Sequence, residues 1–144
     1  MRKVIISTSI FLLLSTSSFA LKNEETCNVY GSAGKLVSDF MLPLTVQELI
    51  NMLTGKDNDL LKELTQTMTS GLSADELAAF ASLGAEDSEV LGELAGQTAI
   101  QLLMQGQATS SNEVKAIMVN QCNQIGTANL ISRMKQAKQA LQGN

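Results

Sequence analysis

Apolar residues along this chain recur mainly at intervals of three and four residues, which is the period of an amphipathic α-helix. No segment alternates apolar and polar residues with the period of two that indicates a half-buried strand. The clearest apolar stripe lies close to the C-terminus and contains Val114, Met118, Cys122, Ile125, Leu130, Met134, Ala137 and Leu141. The pattern therefore predicts an all-α protein.

Three capping boxes mark the starts of predicted helices. In each box a Ser or Thr precedes a Glu by three residues, so that the two residues cap each other's backbone N–H groups. The pairs are Thr45 with Glu48, Ser73 with Glu76 and Ser110 with Glu113. Because each pair opens an apolar-periodic stretch, the three together strongly favour helices.

The helix boundaries follow from these caps and from the breakers Pro43, Gly55 and Gly84. The predicted helices cover residues 24–41, 46–54, 58–69, 74–83, 88–105 and 111–142. We expect a kink in the last of them at Gly126. The sequence thus predicts a small helical bundle of about five to six helices.

The first 20 residues have the three parts of a cleavable secretory signal peptide. Arg2 and Lys3 form the positive start, residues 4–14 form the apolar part, and Ala20 ends a small-x-small cleavage site. A membrane anchor would need roughly 20 continuous apolar residues, and this run is shorter and contains Ser and Thr. We expect a periplasmic or secreted protein with a single helical domain over residues 21–144 and no membrane contact after cleavage.

Two cysteines, Cys27 and Cys122, remain in the mature chain. An even count in an exported protein favours a disulfide, and two free buried thiols are the alternative. Closing so long a loop contributes on the order of 4–5 kcal/mol in the chain-entropy model. Since Cys122 lies on the apolar stripe of the last predicted helix, the bond would join that helix to the first one.

The charge of the mature chain is negative and unevenly distributed. Removal of Arg2 and Lys3 leaves eight basic residues against 14 acidic ones, a net charge of −6. Nucleic-acid-binding proteins usually carry the opposite sign, so we expect no nucleic-acid partner. Between Lys62 and Lys115 there are eight acidic residues and no basic one, whereas all charged side chains after Glu113 are basic.

The acidic middle segment has two interpretations, and it includes Glu86, Asp87, Glu89 and Glu93. In the first, acidic residues stabilise helix N-termini and basic residues stabilise C-termini through the helix dipole. In the second, these four residues form an acidic surface that binds a basic protein or a second copy of this chain. The sequence leaves both open.

Most catalytic chemistry lacks its usual residues here. The chain has no histidine, which removes the commonest general base and metal ligand. If the two cysteines pair, no thiol nucleophile remains. A calcium loop that would begin at Asp57 fails, because Leu61 and Lys62 stand where a ligand and the glycine belong. We therefore expect no enzyme, cofactor or metal site, and a carboxylate enzyme using Asp75/Glu76 or Glu86/Asp87 is a distant third hypothesis.

Three segments resemble known exported helical proteins. Glu113–Cys122 (EVKAIMVNQC), followed by a basic helix, resembles the C-terminal half of the HdeA-type periplasmic acid-stress chaperones. Cys27-x3-Gly31-x-Ala33, followed by Leu44–Leu49 (LTVQEL) and a late cysteine, is similar to a layout in small exported helical proteins, some of which are type VI secretion amidase immunity proteins. Leu72–Phe80 (LSADELAAF) resembles an element of an uncharacterised family of secreted helical proteins. These resemblances imply export and a helical fold, but different functions.

The leading hypothesis is a non-enzymatic periplasmic protein-binding protein of the inhibitor or immunity type. Its partner would be another protein, with a basic protein and a homodimer both left open. The alternative is a periplasmic acid-stress chaperone of the HdeA type. Protonation of the 14 acidic side chains would leave a cationic chain that loosens and exposes its Leu- and Met-rich faces.

Overall fold

The structure is a computed structural model that describes residues 23–143, all of whose regular elements are α-helices. The signal-peptide prediction for residues 1–20 lies outside the described residues. The helices are α1 (residues 23–41), α2 (Val46–Leu53), α3 (Asn58–Gly71), α4 (Ala74–Ala81), α5 (Ala85–Met104), α6 (Ser111–Ile125) and α7 (Thr127–Gln142). The predicted all-α class is confirmed.

The predicted number of helices, about five to six, is wrong, because the described part contains seven. The single helix predicted over 111–142 is two helices that meet at Gly126, where φ is 91° and ψ is 140°. Only glycine adopts such a backbone readily, so the expected kink is a complete break. A residue far away in the chain also caps the start of α7: the Thr127 backbone N–H donates to Asn23 Oδ1 at 2.9 Å.

The predicted caps form as local interactions. Thr45 with Glu48 and Ser73 with Glu76 are complete capping boxes. The third is altered: Ser110 Oγ accepts from the Glu113 N–H at 3.2 Å. The Glu113 carboxylate, however, accepts from the Thr109 N–H at 2.9 Å. All three pairs still begin a helix.

The first helix lies at the centre of the bundle. Its buried residues are Thr26, Cys27, Val29, Tyr30, Gly31, Ala33, Gly34, Val37, Ser38 and Met41. Glycine permits close approach of α1 to α6, because a Cβ atom at Gly31 would collide with Val119, and one at Gly34 with Met118. The apolar core is therefore built around α1.

A disulfide joins these two helices, as predicted from the sequence. Cys27 and Cys122 are bonded, are fully buried, and have Cα atoms 5.4 Å apart. Because the last predicted helix is divided, the bond links α1 to α6 and leaves α7 outside the covalent loop.

Three later helices complete the core around α1. The buried residues of α5 are Val90, Leu91, Ala95, Ala99 and Leu102, those of α6 are Val114, Met118 and Cys122, and those of α7 are Thr127 and Ile131. Tyr30 of α1 donates its hydroxyl to Thr98 Oγ1 of α5 at 3.0 Å. Burial raises the pKa of Tyr30, although this hydrogen bond works in the opposite direction.

The helices α2, α3 and α4 form an outer layer with little burial of its own. Met52 is the one buried residue of α2, and no residue of α3 or α4 is buried. The layer touches α1 closely at Gly71, where a Cβ atom would lie 2.6 Å from Leu36 Cδ2. Because so few side chains of this layer are covered, apolar groups remain on its surface.

Candidate protein-interaction surfaces

The predicted acidic surface lies in the first half of α5 and faces basic residues of α7. Lys135 Nζ lies 2.6 Å from Asp87 Oδ1 and 3.7 Å from Glu86 Oε1. Lys138 Nζ lies 2.5 Å from Glu93 Oε2. We call these contacts the α5–α7 ion pairs. Neither interpretation of the acidic segment included them, because the partners are more than 40 residues apart in the chain.

The α5–α7 ion pairs change the electrostatics of this surface. The hydrogen bond to Asp87 raises the pKa of Lys135, and the charge of Glu86 adds to the effect. The hydrogen bond to Glu93 raises the pKa of Lys138, with a further contribution from the charge of Glu89. Three of the four predicted acidic residues thus form ion pairs within the chain. Binding of a basic partner at this surface stays a prediction.

Exposed apolar side chains are concentrated elsewhere, in and around the outer layer. Those at residues 42–77 are Leu42, Val46, Ile50, Leu53, Leu61 and Leu77. In the rest of the described chain the large exposed apolar residues are Met104 and Leu141. Scattered apolar residues are normal on protein surfaces, but a group of them in one region indicates an interaction site.

Three of these residues form a continuous stripe on α2. Val46, Ile50 and Leu53 are spaced at i, i+4 and i+7 and therefore share one side of the helix. Val46 is 74% exposed and Leu53 is 53% exposed. We call this stripe the α2 apolar face. Sequence reasoning missed it, although the signal was present: five of the eight residues of α2 are apolar, more than one buried side accommodates.

A groove of about 400 Å³ lies between the end of α1 and the side of α3. We call it the α1–α3 groove; its lining residues are Asp39, Phe40, Pro43, Leu44, Leu60, Glu63 and Thr67. Most of the wall is apolar, and two carboxylates, those of Asp39 and Glu63, border it. The groove could therefore hold a group with an apolar stem and a positive end.

The two carboxylates of the α1–α3 groove differ in their surroundings. A hydrogen bond with Ser111 and the neighbouring Lys35, whose Nζ lies 3.1 Å from Asp39 Oδ2, lower the pKa of Asp39. Glu63 forms no ion pair or side-chain hydrogen bond with any residue in 23–143. One negative charge at the groove is thus unmatched within the described chain.

Three of the four carboxylates considered for catalysis have partners within the protein: Glu86 and Asp87 pair with Lys135, and Glu76 caps a helix. Glu76 is the partner of Ser73 in the capping box of α4. Burial alone would raise the pKa of Glu76, but hydrogen bonds with Ser73 and Ser32 and the charge of Lys115 bring it below its ordinary value. Across residues 23–143, no three His, Cys, Asp or Glu side chains are grouped to hold a metal ion.

Comparison with known proteins assigns no relative. No protein-family model, no curated protein and no solved structure matches this chain. Among the helices of residues 23–143, none has both the length and the apolar character needed to cross a membrane. The function must therefore be argued from the surfaces described above.

Proposed function

We propose that this protein is a non-enzymatic, protein-binding protein of the periplasm, of the inhibitor or immunity type, and that the α2 apolar face contacts its partner. The observation that carries this proposal is the stripe of Val46, Ile50 and Leu53 on the surface of a helix that buries only Met52. Full burial of each such side chain contributes about 1.5–3 kcal/mol. A partner that covers the stripe would therefore gain substantial binding energy.

The architecture also supports protein binding. The core of α1, α5, α6 and α7 is closed by the Cys27–Cys122 disulfide, so it provides a rigid base for the outer layer. An i, i+4, i+7 apolar stripe on a helix is the usual arrangement of anchors for insertion into a partner's groove. A preorganised helix loses little conformational entropy on binding.

Affinity capture from periplasmic extract tests this proposal with a matched pair of variants. V46S/I50S removes two residues of the α2 apolar face, whereas M104S/L141S removes two apolar residues of α5 and α7 that are about as exposed as Val46. We expect the wild type and M104S/L141S to capture a stoichiometric protein partner. The affinity of V46S/I50S for this partner should be at least about tenfold lower. Capture of no stoichiometric partner, or equal capture by both variants, would refute the proposal.

An acid-stress chaperone is the second candidate, and the α5–α7 ion pairs favour it. The buried residues of α7, Thr127 and Ile131, both lie in its first five positions. After Met134, which packs partly against the core, Lys135 and Lys138 form the ion pairs between α7 and α5. Protonation of the carboxylates in acidic solution would remove these ion pairs. Release of α7 would uncover apolar residues of α5 that could bind unfolding proteins.

Two measurements on the purified protein distinguish this candidate. Binding of the dye ANS should rise as the pH falls from 7 to about 3, and the protein should suppress aggregation of an acid-labile client at the lower pH. D87N/E93Q should raise ANS binding already at neutral pH, while D59N/E63Q, which removes the same charge from α3, should not. An ANS signal that is constant across this pH range would eliminate the chaperone hypothesis.

A further inference from the structure

The α1–α3 groove combines three kinds of groups that together suit one kind of side chain. Pro43, Leu44 and Leu60 supply aliphatic surface, Phe40 supplies an aromatic ring, and Glu63 supplies a carboxylate at the edge. The guanidinium group of arginine is planar, stacks on aromatic rings and forms paired hydrogen bonds with carboxylates. Its three-carbon stem packs on apolar surface while the charge stays at the rim.

The charge around the groove favours a basic occupant. Residues 42–77 contain six acidic and two basic residues, a net charge of −4. The pairing of Lys35 with Asp39 accounts for one of the two carboxylates in the groove, and the Glu63 carboxylate has no partner in the described chain. Of the four acidic residues of α5, by contrast, three already pair with Lys135 or Lys138: Glu86, Asp87 and Glu93.

We propose that the α1–α3 groove receives an arginine side chain of the bound protein, whose guanidinium group pairs with Glu63. This inference rests on the proposed protein-binding function and names a second contact next to the same outer layer. The partner is accordingly a protein with an apolar surface for α2 and a basic residue beside it. Arginine is preferred to lysine because its planar guanidinium group can stack on the Phe40 ring and form two parallel hydrogen bonds with the carboxylate. A lysine ammonium group can do neither.

The direct test uses the mature, disulfide-bonded protein and three synthetic amphipathic helical peptides as probes. The peptides share one leucine pattern and carry arginine, lysine or glutamate at the polar positions. Fluorescence anisotropy gives the dissociation constant of each. We expect the arginine peptide to bind most tightly, the lysine peptide more weakly, and the glutamate peptide not at all.

Three variants locate the binding. E63Q should weaken binding of the arginine peptide about fivefold, the upper range for an exposed ion pair. E89Q makes the same chemical change on α5 and should leave the affinity unchanged. F40L removes the ring but keeps an apolar side chain, so it should reduce the preference for arginine over lysine. Equal affinities of E63Q and E89Q for the arginine peptide, or binding of the glutamate peptide, would overturn the inference.

Failure of this inference can be separated from failure of the proposed function. If V46S/I50S loses the partner captured from periplasmic extract but E63Q retains it with wild-type affinity, the α2 apolar face binds a protein and the arginine site is refuted. Loss of affinity in E89Q rather than E63Q would also refute the site, and would place the basic partner on the acidic residues of α5.

Discussion

One substitution, glycine to alanine, should have opposite effects on stability at two helical positions of this protein. In a helix interior, alanine is favoured over glycine by about 1 kcal/mol. At Gly96 of α5 an added Cβ atom meets nothing within 4 Å, so G96A should gain most of this amount. At Gly31 of α1 the same atom would collide with Val119 Cγ2 and lie 3.1 Å from the Lys115 carbonyl oxygen.

The magnitude at Gly31 follows from what can move. Val119 is β-branched and has little rotamer freedom in a helix, and the Lys115 oxygen belongs to the backbone, so α1 and α6 must separate. Overpacking of this kind typically costs about 1–3 kcal/mol, which exceeds the gain in helix propensity. The free energy of unfolding should therefore be about 1–3 kcal/mol lower in G31A than in G96A.

Urea unfolding followed by circular dichroism, with the disulfide intact, measures both values. For a domain of this size a change of 1 kcal/mol corresponds to a shift in Tm of roughly 4 °C, so thermal scans give a second readout. The free energy of unfolding of each variant is compared with that of the wild type. A stabilisation of the same size in both variants would show that α1 does not approach α6 through Gly31.

Three further changes test other parts of the fold. Replacement of both cysteines by alanine should lower the free energy of unfolding by about 2–5 kcal/mol, and an unchanged urea midpoint would exclude the 27–122 loop as a source of stability. S73A should cost about 1 kcal/mol through loss of the N-cap of α4 and should accelerate amide hydrogen exchange in residues 74–81, whereas S88A, at a serine that caps no helix, should leave that exchange as it is. D39N should destabilise the protein at pH 7, because the pKa of Asp39 is lowered in the folded state and the resulting stability is present above the unfolded-state pKa. This difference from the wild type should disappear as the pH falls through the lowered pKa of Asp39, and a difference that persists at low pH would assign the effect to packing.

Local interactions are the part of this fold that could be predicted from the sequence. The capping partners Thr45 and Glu48 are three residues apart, so both groups of the box are visible in a short segment. The disulfide could also be predicted, because only two cysteines remain after residue 20 and Cys122 lies on an apolar stripe. In each case the deciding feature is visible in a short segment of the sequence or in the number of cysteines.

The sequence predictions are wrong or incomplete where residues far apart in the chain determine the structure. Gly126 is compatible with a kink, a cap or an uninterrupted helix, and the hydrogen bond from Thr127 to Asn23 across the fold accompanies the break. The partner of Lys135 is Asp87 of another helix, which no spacing in the sequence indicates. The sequence also does not indicate which apolar side chains of α2 the rest of the protein covers: Met52 is buried, whereas Val46 is exposed.

The position of the disulfide explains how binding and stability can be separated in this molecule. The loop between Cys27 and Cys122 contains the whole outer layer, so both ends of that layer are fixed to the core. Its helices bury few side chains, and such regions open locally at low cost in free energy. Because loop closure is already imposed by the covalent bond, a partner that binds α2 does not also have to hold the chain ends together. Substitutions on the α2 apolar face should therefore change partner affinity with little effect on the free energy of unfolding, whereas changes at Gly31 should do the reverse.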